Sequence, residues 1–286
     1  RRVLFRSRDT GTPFDGRVVD YGASYFTARH PDFVAIVRSM VEAGVVREWT
    51  NSFHVHSDGV MSVSAGPMRF AAPGGLRSVV EFLAREVPDI RQESEVREVD
   101  ADEHGAVVDG QRSAAVALCM PTPQAQRLLP TNLKPPSEGL WEPVIAVTMV
   151  FEENRWLDFD GMFVNDNPVI TWLADDGKRR GDQAPVLVAH VHPVLAAGHL
   201  ERPHEVVPKA ISATRRILAI DALPEWTWAH RWSVAKPREA VEDEFWLHQD
   251  RPVGLAGDAW AGGPRIETAW LSGRALGNAI ADRVIR

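Results

Sequence analysis

The spacing of apolar positions changes several times along this chain, and each change predicts an element. "RVVDYGASYFTA" (Arg17–Ala28) reads as a strand running into a Gly-containing turn. In "DFVAIVRSMVEAGVV" the apolar residues Phe33, Ile36, Val37, Met40 and Val41 recur at helical spacing, and Gly44 is placed to end that helix. "SFHVHSDGVMSV" alternates around Asp58-Gly59 and predicts a hairpin. "APGGLRSVVEFLAREV" opens on Pro-Gly-Gly and then turns amphipathic, with Leu76, Val79, Val80 and Leu83 on one side. "SEVREVDAD", "GAVVDG" and "AAVALCMPTP" read as short strands, and the Pro-rich stretch Pro121–Pro143 as a connection. "PVIAVTMVFE", "GMFVND", "VITWLAD" and "APVLVAHVHP" predict strands of a mixed or antiparallel sheet. "HEVVPKAISATRRILAI" predicts a helix that buries Val207, Ile211, Ile217 and Leu218, with Pro208 in its first turn. "WTWAHRW" puts Trp226, Trp228, His230 and Trp232 on one face of a strand. "RPVGLAGD" returns to a buried strand, and "RIETAWLSGRALGNAIADRVI" closes as a long helix.

Composition narrows the class. The chain has 286 residues, enough for one large or two ordinary domains, and the interleaved pattern favours two domains, each built from separate segments. With 44% hydrophobic and 25% charged residues it reads as a soluble globular protein. A net charge of −7 argues against a nucleic-acid binder that works by neutralising phosphates. The single cysteine, Cys119, excludes an internal disulfide and predicts a cytoplasmic protein. No apolar run approaches the ~18 residues of a membrane span, so no membrane partner is expected. The opening "RRVLFRS" (Arg1–Ser7) also matches the translation of a common short-read sequencing adapter. It is expected to be a non-native artefact, with the gene truncated just before Arg8.

The candidate chemistry is concentrated in "GLAGDAWAGGPRIETAWLSGRALGNAI" (Gly254–Ile280). A strand ends at Gly257, where a ligand can approach the backbone, and Asp258 is placed to accept from hydroxyls. After the turn at Gly262-Gly263-Pro264 a helix starts at Arg265-Ile266-Glu267, and its N-terminus favours an anion or a ring that becomes anionic on reduction. Ala269, Ser272, Gly273, Ala275 and Gly277 give this helix a small-residue face. Taken alone, the stretch reads equally well as a structural strand-loop-helix.

This stretch resembles the C-terminal flavin motif of the FAD-dependent amine oxidase superfamily, and within it the renalase-like branch of NAD(P)/FAD-dependent oxidoreductases. "VVDYGASYFTARHPDF", "APGGLRSVVEFLAREVPDIRQESEVREVD" and "WAHRWSVAKP" are similar to further segments of that branch and fall in matching order. Ser24 stands where the branch commonly has Gln, and no Gly-x-Gly-x-x-Gly fingerprint occurs in the chain. The resemblance implies an α/β fold: a Rossmann-like FAD-binding domain lacking its first βαβ unit (8–30, 74–125 and 250–286) and an interleaved α+β substrate domain on a mixed or antiparallel sheet (31–73 and 126–249). It implies FAD contacts at Gly22, Ala23, Val96, Pro121, Gly257, Asp258, Arg265, Ile266 and Glu267, and a substrate side lined by Tyr25, Trp172, His230 and Trp232. It further implies hydride transfer from a small molecule, such as NAD(P)H or an isomer of it, to flavin and then to O2. Because orientation over the ring matters most, no catalytic side chain is assigned. An amine oxidase is the alternative within enzymes, though Lys134, Lys178, Lys209 and Lys236 lie outside the flavin-contacting matches. A non-catalytic protein without FAD is the alternative of a different class.

Competing signals are weaker. The pairs His54/His56 and His190/His192 put two imidazoles on one strand face but lack an acidic or Cys companion, so no metal is expected. Arg179-Arg180 could grip a phosphate, yet Asp175, Asp176 and Asp182 make a solvated turn the better reading. The tryptophan row reads as core before it reads as a ligand platform.

Overall fold

The computed structural model describes residues 17–135, 139–239 and 241–284. The expectation for Arg1–Ser7 lies outside the described residues. In chain order the elements are α1 (Pro31–Glu42), β1 (Arg47–Ser57), β2 (Val60–Ala71), α2 (Arg77–Leu83), β3 (Val99–Asp102), β4 (Gly105–Val108), β5 (Gln111–Ser113), β6 (Val116–Leu118) and α3 (Thr122–Gln126). They continue with β7 (Trp141–Val150), β8 (Gly161–Val164), β9 (Ile170–Asp175), α4 (Asp176–Arg180), β10 (Val186–Val191), α5 (Pro193–Ala197), α6 (Val207–Leu218), β11 (Trp226–Pro237), β12 (Trp246–Leu247), β13 (Val253–Leu255) and α7 (Ile266–Val284). The mixed sheets and flanking helices make the fold α/β, as expected.

By packing, the described chain divides into two compact units, each drawn from separate segments: 89–142 with 236–284, and 17–88 with 143–235. This division follows contacts rather than ligands. Segments 17–30 and 74–88, which the family resemblance groups with the FAD domain, pack in the second unit.

The first unit is built on β12-β13-β6, with β13 parallel to β6, and on the antiparallel meander β3-β4-β5. Its core joins Val99, Leu118, Val253 and Leu255 to Ala125, Leu129 and Leu133. The Pro-rich stretch is therefore not a bare connection, because α3 and the turn after it fill this core. α7 approaches β13 closely. The small residue that permits this is Gly254 on the strand, where an added Cβ would lie 2.3 Å from Leu276 Cδ1 and 3.1 Å from the Trp246 carbonyl. Gly273 and Gly277 of the expected small-residue face have nothing within 4 Å of such a Cβ. Gly254→Ala should therefore cost about 1–3 kcal/mol by overpacking, read as a lower urea midpoint, whereas Gly277→Ala should not destabilise.

The second unit carries the sheet β11-β7-β10-β9-β8-β1-β2. The β1–β2 hairpin turns at Asp58-Gly59, both at positive φ (49° and 78°), as the alternation predicted. One sheet face buries Ile145, Val147, Met149, Leu173, Leu187 and Ala189 under α6. In α6 the fully buried positions are Ala210, Ala213, Thr214 and Leu218, while Val207, Ile211 and Ile217 pack at the rim. The helix sits so close to the sheet that small residues occupy its centre. α1 buries Phe33, Val37 and Met40, but Val41 is on the open side. α2 buries Val79, and Val80 faces outward.

Candidate functional site

The other face of the large sheet is aromatic and charged. Phe53 on β1, Phe163 on β8 and Trp172 on β9 stand together, with ring centroids 4.9 Å apart for Phe53–Trp172 and 5.1 Å for Phe163–Trp172. Tyr25 from the N-terminal segment packs on them, 5.0 Å from Phe53 and 5.8 Å from Trp172. Gly161 makes the room, since a Cβ there would lie 2.5 Å from Trp172 Cη2. Trp172 Nε1 and His190 Nε2 are buried without a hydrogen-bond partner, and the two residues pair directly across β9 and β10. Burial, with the Arg179 charge nearby, pushes the His190 imidazole down to about 4, so it is neutral at physiological pH.

The segment that covers this face is held by Arg179. Its guanidinium donates to the Ser24 carbonyl at 3.1 Å and to the Asp20 carbonyl, so it brackets Tyr21-Gly22-Ala23. Asp176 neutralises it and is shared with Arg17, whose Nη1 lies 2.8 Å away. Arg179 and Asp176 are 1% and 0% exposed. The Arg179-Arg180 pair is thus not a solvated turn. Of the acidic residues around it, Asp176 is the buried ion-pair partner, Asp175 is buried but accepts from Trp156 Nε1 and the Lys178 amide, and Asp182 pairs with Arg17 at the surface. Asp175 caps α4 by accepting from the Lys178 amide at 2.9 Å, and Gly181 ends it at φ 82°. Burial raises the Asp20 carboxyl, against the pull of Arg179 and Arg180.

On β11 the expected row is present. Trp226 and Trp228 stack at 6.5 Å, and His230 and Trp232 are 4.5 Å apart. Tyr21 lies 4.5 Å from His230, and Trp232 Nε1 donates to the Tyr21 carbonyl at 2.9 Å. Burial lowers the His230 imidazole, with Arg231 adding to the effect. The second unit therefore holds Gly22, Ala23, Tyr25, Trp172, His230 and Trp232. Tyr25 joins Trp172, while His230 and Trp232 form a separate group around Tyr21 and Gly22.

The first unit holds the remaining predicted residues. Two residues beyond β13 lies Gly257 at φ 152°, whose amide donates to Ser272 Oγ at 3.0 Å and so ties the loop to α7. Gly262 and Gly263 follow at φ 88° and 133°. A Cβ built on any of these three glycines has nothing within 4 Å, so the backbone borders open space there. Asp258 is partly buried, and burial raises its carboxyl above the ordinary value. The helix starts at Ile266. Arg265 lies just before it, exposed, with its amide donating to Thr268 Oγ1 at 3.1 Å. Glu267 is buried in the first turn. Pro121 heads α3. Val96 precedes β3 rather than lying in it; its neighbours Arg97 and Glu98 donate their amides to Asp109 at 2.9 and 3.0 Å instead of joining the ladder.

These features fit a flavin nucleotide: a glycine cradle beside open space, a desolvated carboxylate for hydroxyl donors, and a long helix whose N-terminus follows the loop. Among the described residues no group of three or more His, Cys, Asp or Glu could hold a metal ion. No helix among them is long and apolar enough to cross a membrane. Sequence reasoning missed Arg69, Trp49, Phe53 and Phe163. The available signal was a charge inside the apolar strand "PMRFAA", with aromatic residues at alternating positions of neighbouring strands.

The model of the family described as flavin containing amine oxidoreductase matches residues 37–281. Among solved structures, a double mutant of putrescine oxidase is similar at a TM-score of 0.62 and 15% identity, covering 95% of this chain and 89% of that one. A protein from Exiguobacterium sp. 255-15 assigned as a protoporphyrinogen oxidase is similar at 0.57 and 20%, and cyclohexylamine oxidase from Brevibacterium oxydans IH-35A at 0.56 and 16%. The match covers 75% of this chain and 52% of the former, and 78% of this chain and 56% of the latter, so this chain spans about half of either. At these identities the likeness is one of fold.

Proposed function

This chain belongs to the family of flavin-containing amine oxidoreductases, and on that premise we propose that it is an FAD-dependent oxidoreductase of the renalase-like type. Its substrate would be a reduced nicotinamide dinucleotide or an isomer of it, with O2 as electron acceptor. The observation that carries the flavin part is the Gly257-Asp258 turn, with its open glycine cradle, leading into α7.

When bound, FAD supplies the hydride acceptor. This chain's residues bind and orient. In this reading Asp258 accepts from hydroxyls of the cofactor, Gly257 lets it approach, and the Ile266 end of α7 stabilises negative charge on the ring. Val96, Pro121, Arg265 and Glu267 complete the cofactor contacts in the same unit. In the second unit the resemblance also implies cofactor contacts at Gly22 and Ala23, whose flanking carbonyls at Asp20, Tyr21 and Ser24 accept from Arg179 and Trp232. Tyr25, Trp172, His230 and Trp232 exclude water and position a flat substrate.

Oxidation of a small amine is the second reading, favoured by the structural likeness to putrescine oxidase and cyclohexylamine oxidase. The deciding experiment uses the purified protein loaded with FAD. Bleaching of its flavin absorbance by NADH, NADPH or their isomers, and not by putrescine or cyclohexylamine, supports the first reading. The opposite pattern supports the second. In the same protein Trp232→Ala should keep FAD bound and slow single-turnover bleaching about tenfold or more, since near-attack geometry is sensitive to small displacements. Loss of FAD with normal turnover of the saturated remainder would place Trp232 on the cofactor side.

A further inference from the structure

Arg69, on β2, is a buried cation that the functions assigned above do not use. It is 7% exposed, yet among the described residues it forms no ion pair. Its Nε is buried without a partner, and its Nη1 makes only a long bond of 3.4 Å to the Pro67 carbonyl. A charge removed from water without a counter-ion is costly, and it persists where something compensates it. Part of the compensation is visible. The guanidinium lies 3.9 Å from the centroid of the Phe53 ring and 5.7 Å from that of Tyr25. A ring face satisfies the flat side of a guanidinium, but its N–H donors lie in the plane, where they suit a two-oxygen anion. Gly66 gives the fork its place, since a Cβ there would lie 2.8 Å from Arg69 Nη2. Trp49 and Trp172 share the cluster, and each has an indole N–H that is buried and unpartnered.

We propose that Arg69, seated on Phe53 beside Tyr25 and Trp172, is a specificity residue that receives an anionic group, a carboxylate or a phosphate, carried by a planar substrate. This rests on reading that sheet face as the substrate side. The stacked aromatic residues take the flat apolar part of the molecule, and the guanidinium takes its anion. A cationic amine is disfavoured at the same place, since no carboxylate among the described residues neutralises Arg69. The substrate class is therefore an anion-bearing ring compound, which a reduced nicotinamide dinucleotide is and putrescine is not.

The test needs no turnover. Tryptophan fluorescence of the FAD-loaded protein is titrated with benzoate, phenyl phosphate, benzamide and benzylamine, which share one ring and differ in the attached group. At least one of the two anions should bind about tenfold or more tightly than benzamide or benzylamine, and the preferred anion identifies carboxylate or phosphate. Arg69→Met should bring that anion to the level of benzamide, with benzamide itself unchanged. Gly66→Ala keeps the charge but displaces the fork, and should weaken the anion selectively. It decides the matter if Arg69→Met does not fold. Equal binding of all four probes, no binding of either anion, or anion binding indifferent to both substitutions overturns the proposal. Selective anion binding in a protein whose flavin no reductant bleaches would leave Arg69 as an anion site and remove the proposed oxidoreductase function.

Discussion

Arg179→Met is expected to destabilise the protein by about 3–5 kcal/mol, because it breaks a buried ion pair by removing one partner. Asp176 is 0% exposed and would keep only Arg17. The carbonyls of Asp20 and Ser24 would lose their donors in the same step. The double variant Arg179→Met/Asp176→Leu should recover at least half of that loss, since replacing both charges by apolar groups is often near neutral. It would not restore the bracket around Tyr21-Gly22-Ala23, so turnover should stay depressed while the fold recovers. Urea unfolding of both variants, with single-turnover bleaching of the FAD-loaded protein, separates the two effects. A single variant within about 1 kcal/mol of the parent would mean that water reaches Asp176 freely.

Asp258→Ala is expected to lower FAD affinity roughly ten- to a hundredfold while leaving hydride transfer in the remaining holoprotein near normal. The lost interaction is a hydrogen bond to a charged acceptor, worth about 1.5–3 kcal/mol. Burial has already raised this carboxyl above its ordinary value, so hydroxyl donors supplied by a cofactor would offset a desolvation that the chain alone does not. Asp258→Asn should fall between the parent and Asp258→Ala, since the amide still accepts. Flavin titration of the apoprotein measures all three. Unchanged affinity in Asp258→Ala would remove this residue from the cofactor site.

Much of the fold was legible because it follows from local spacing. Phe33, Val37 and Met40 repeat at the period of a helix, and Asp58-Gly59 adopts the positive φ values of a tight hairpin turn. The short apolar run before Gly257 reads as a buried strand and forms β13, and the helical pattern after Gly263-Pro264 restarts beyond it as α7. The candidate cofactor loop was readable for the same reason: glycines at positive φ, an acid and a helix start are contiguous in sequence. The aromatic row on β11 was readable from period two alone.

What local spacing could not decide was which charges lie inside. Arg179, Arg180, Asp175 and Asp176 have the composition of a solvated turn, and nothing nearby in the sequence says otherwise. The burial of Arg179, Arg180 and Asp176 depends on Arg17, Asp20 and Ser24, more than 150 residues away, which supply the partners that make an interior charge tolerable. Arg69 is a similar case with no ionic partner among the described residues, and only the approach of Phe53 and Tyr25 reveals it. Likewise the period of α7 pointed to glycines on the helix, whereas close approach was granted by one glycine on the facing strand. The sequence by itself determined the longer helices, the strand faces and the glycine-acid-helix order, because these are short-range consequences of side-chain period and backbone freedom; it did not determine Arg17–Ala28, read as a strand but joined to its neighbours only by a bridge at Phe26, nor the short helices α3 and α4. The tertiary structure alone decided which polar groups are desolvated and paired, because desolvation depends on what folds over a residue from far along the chain.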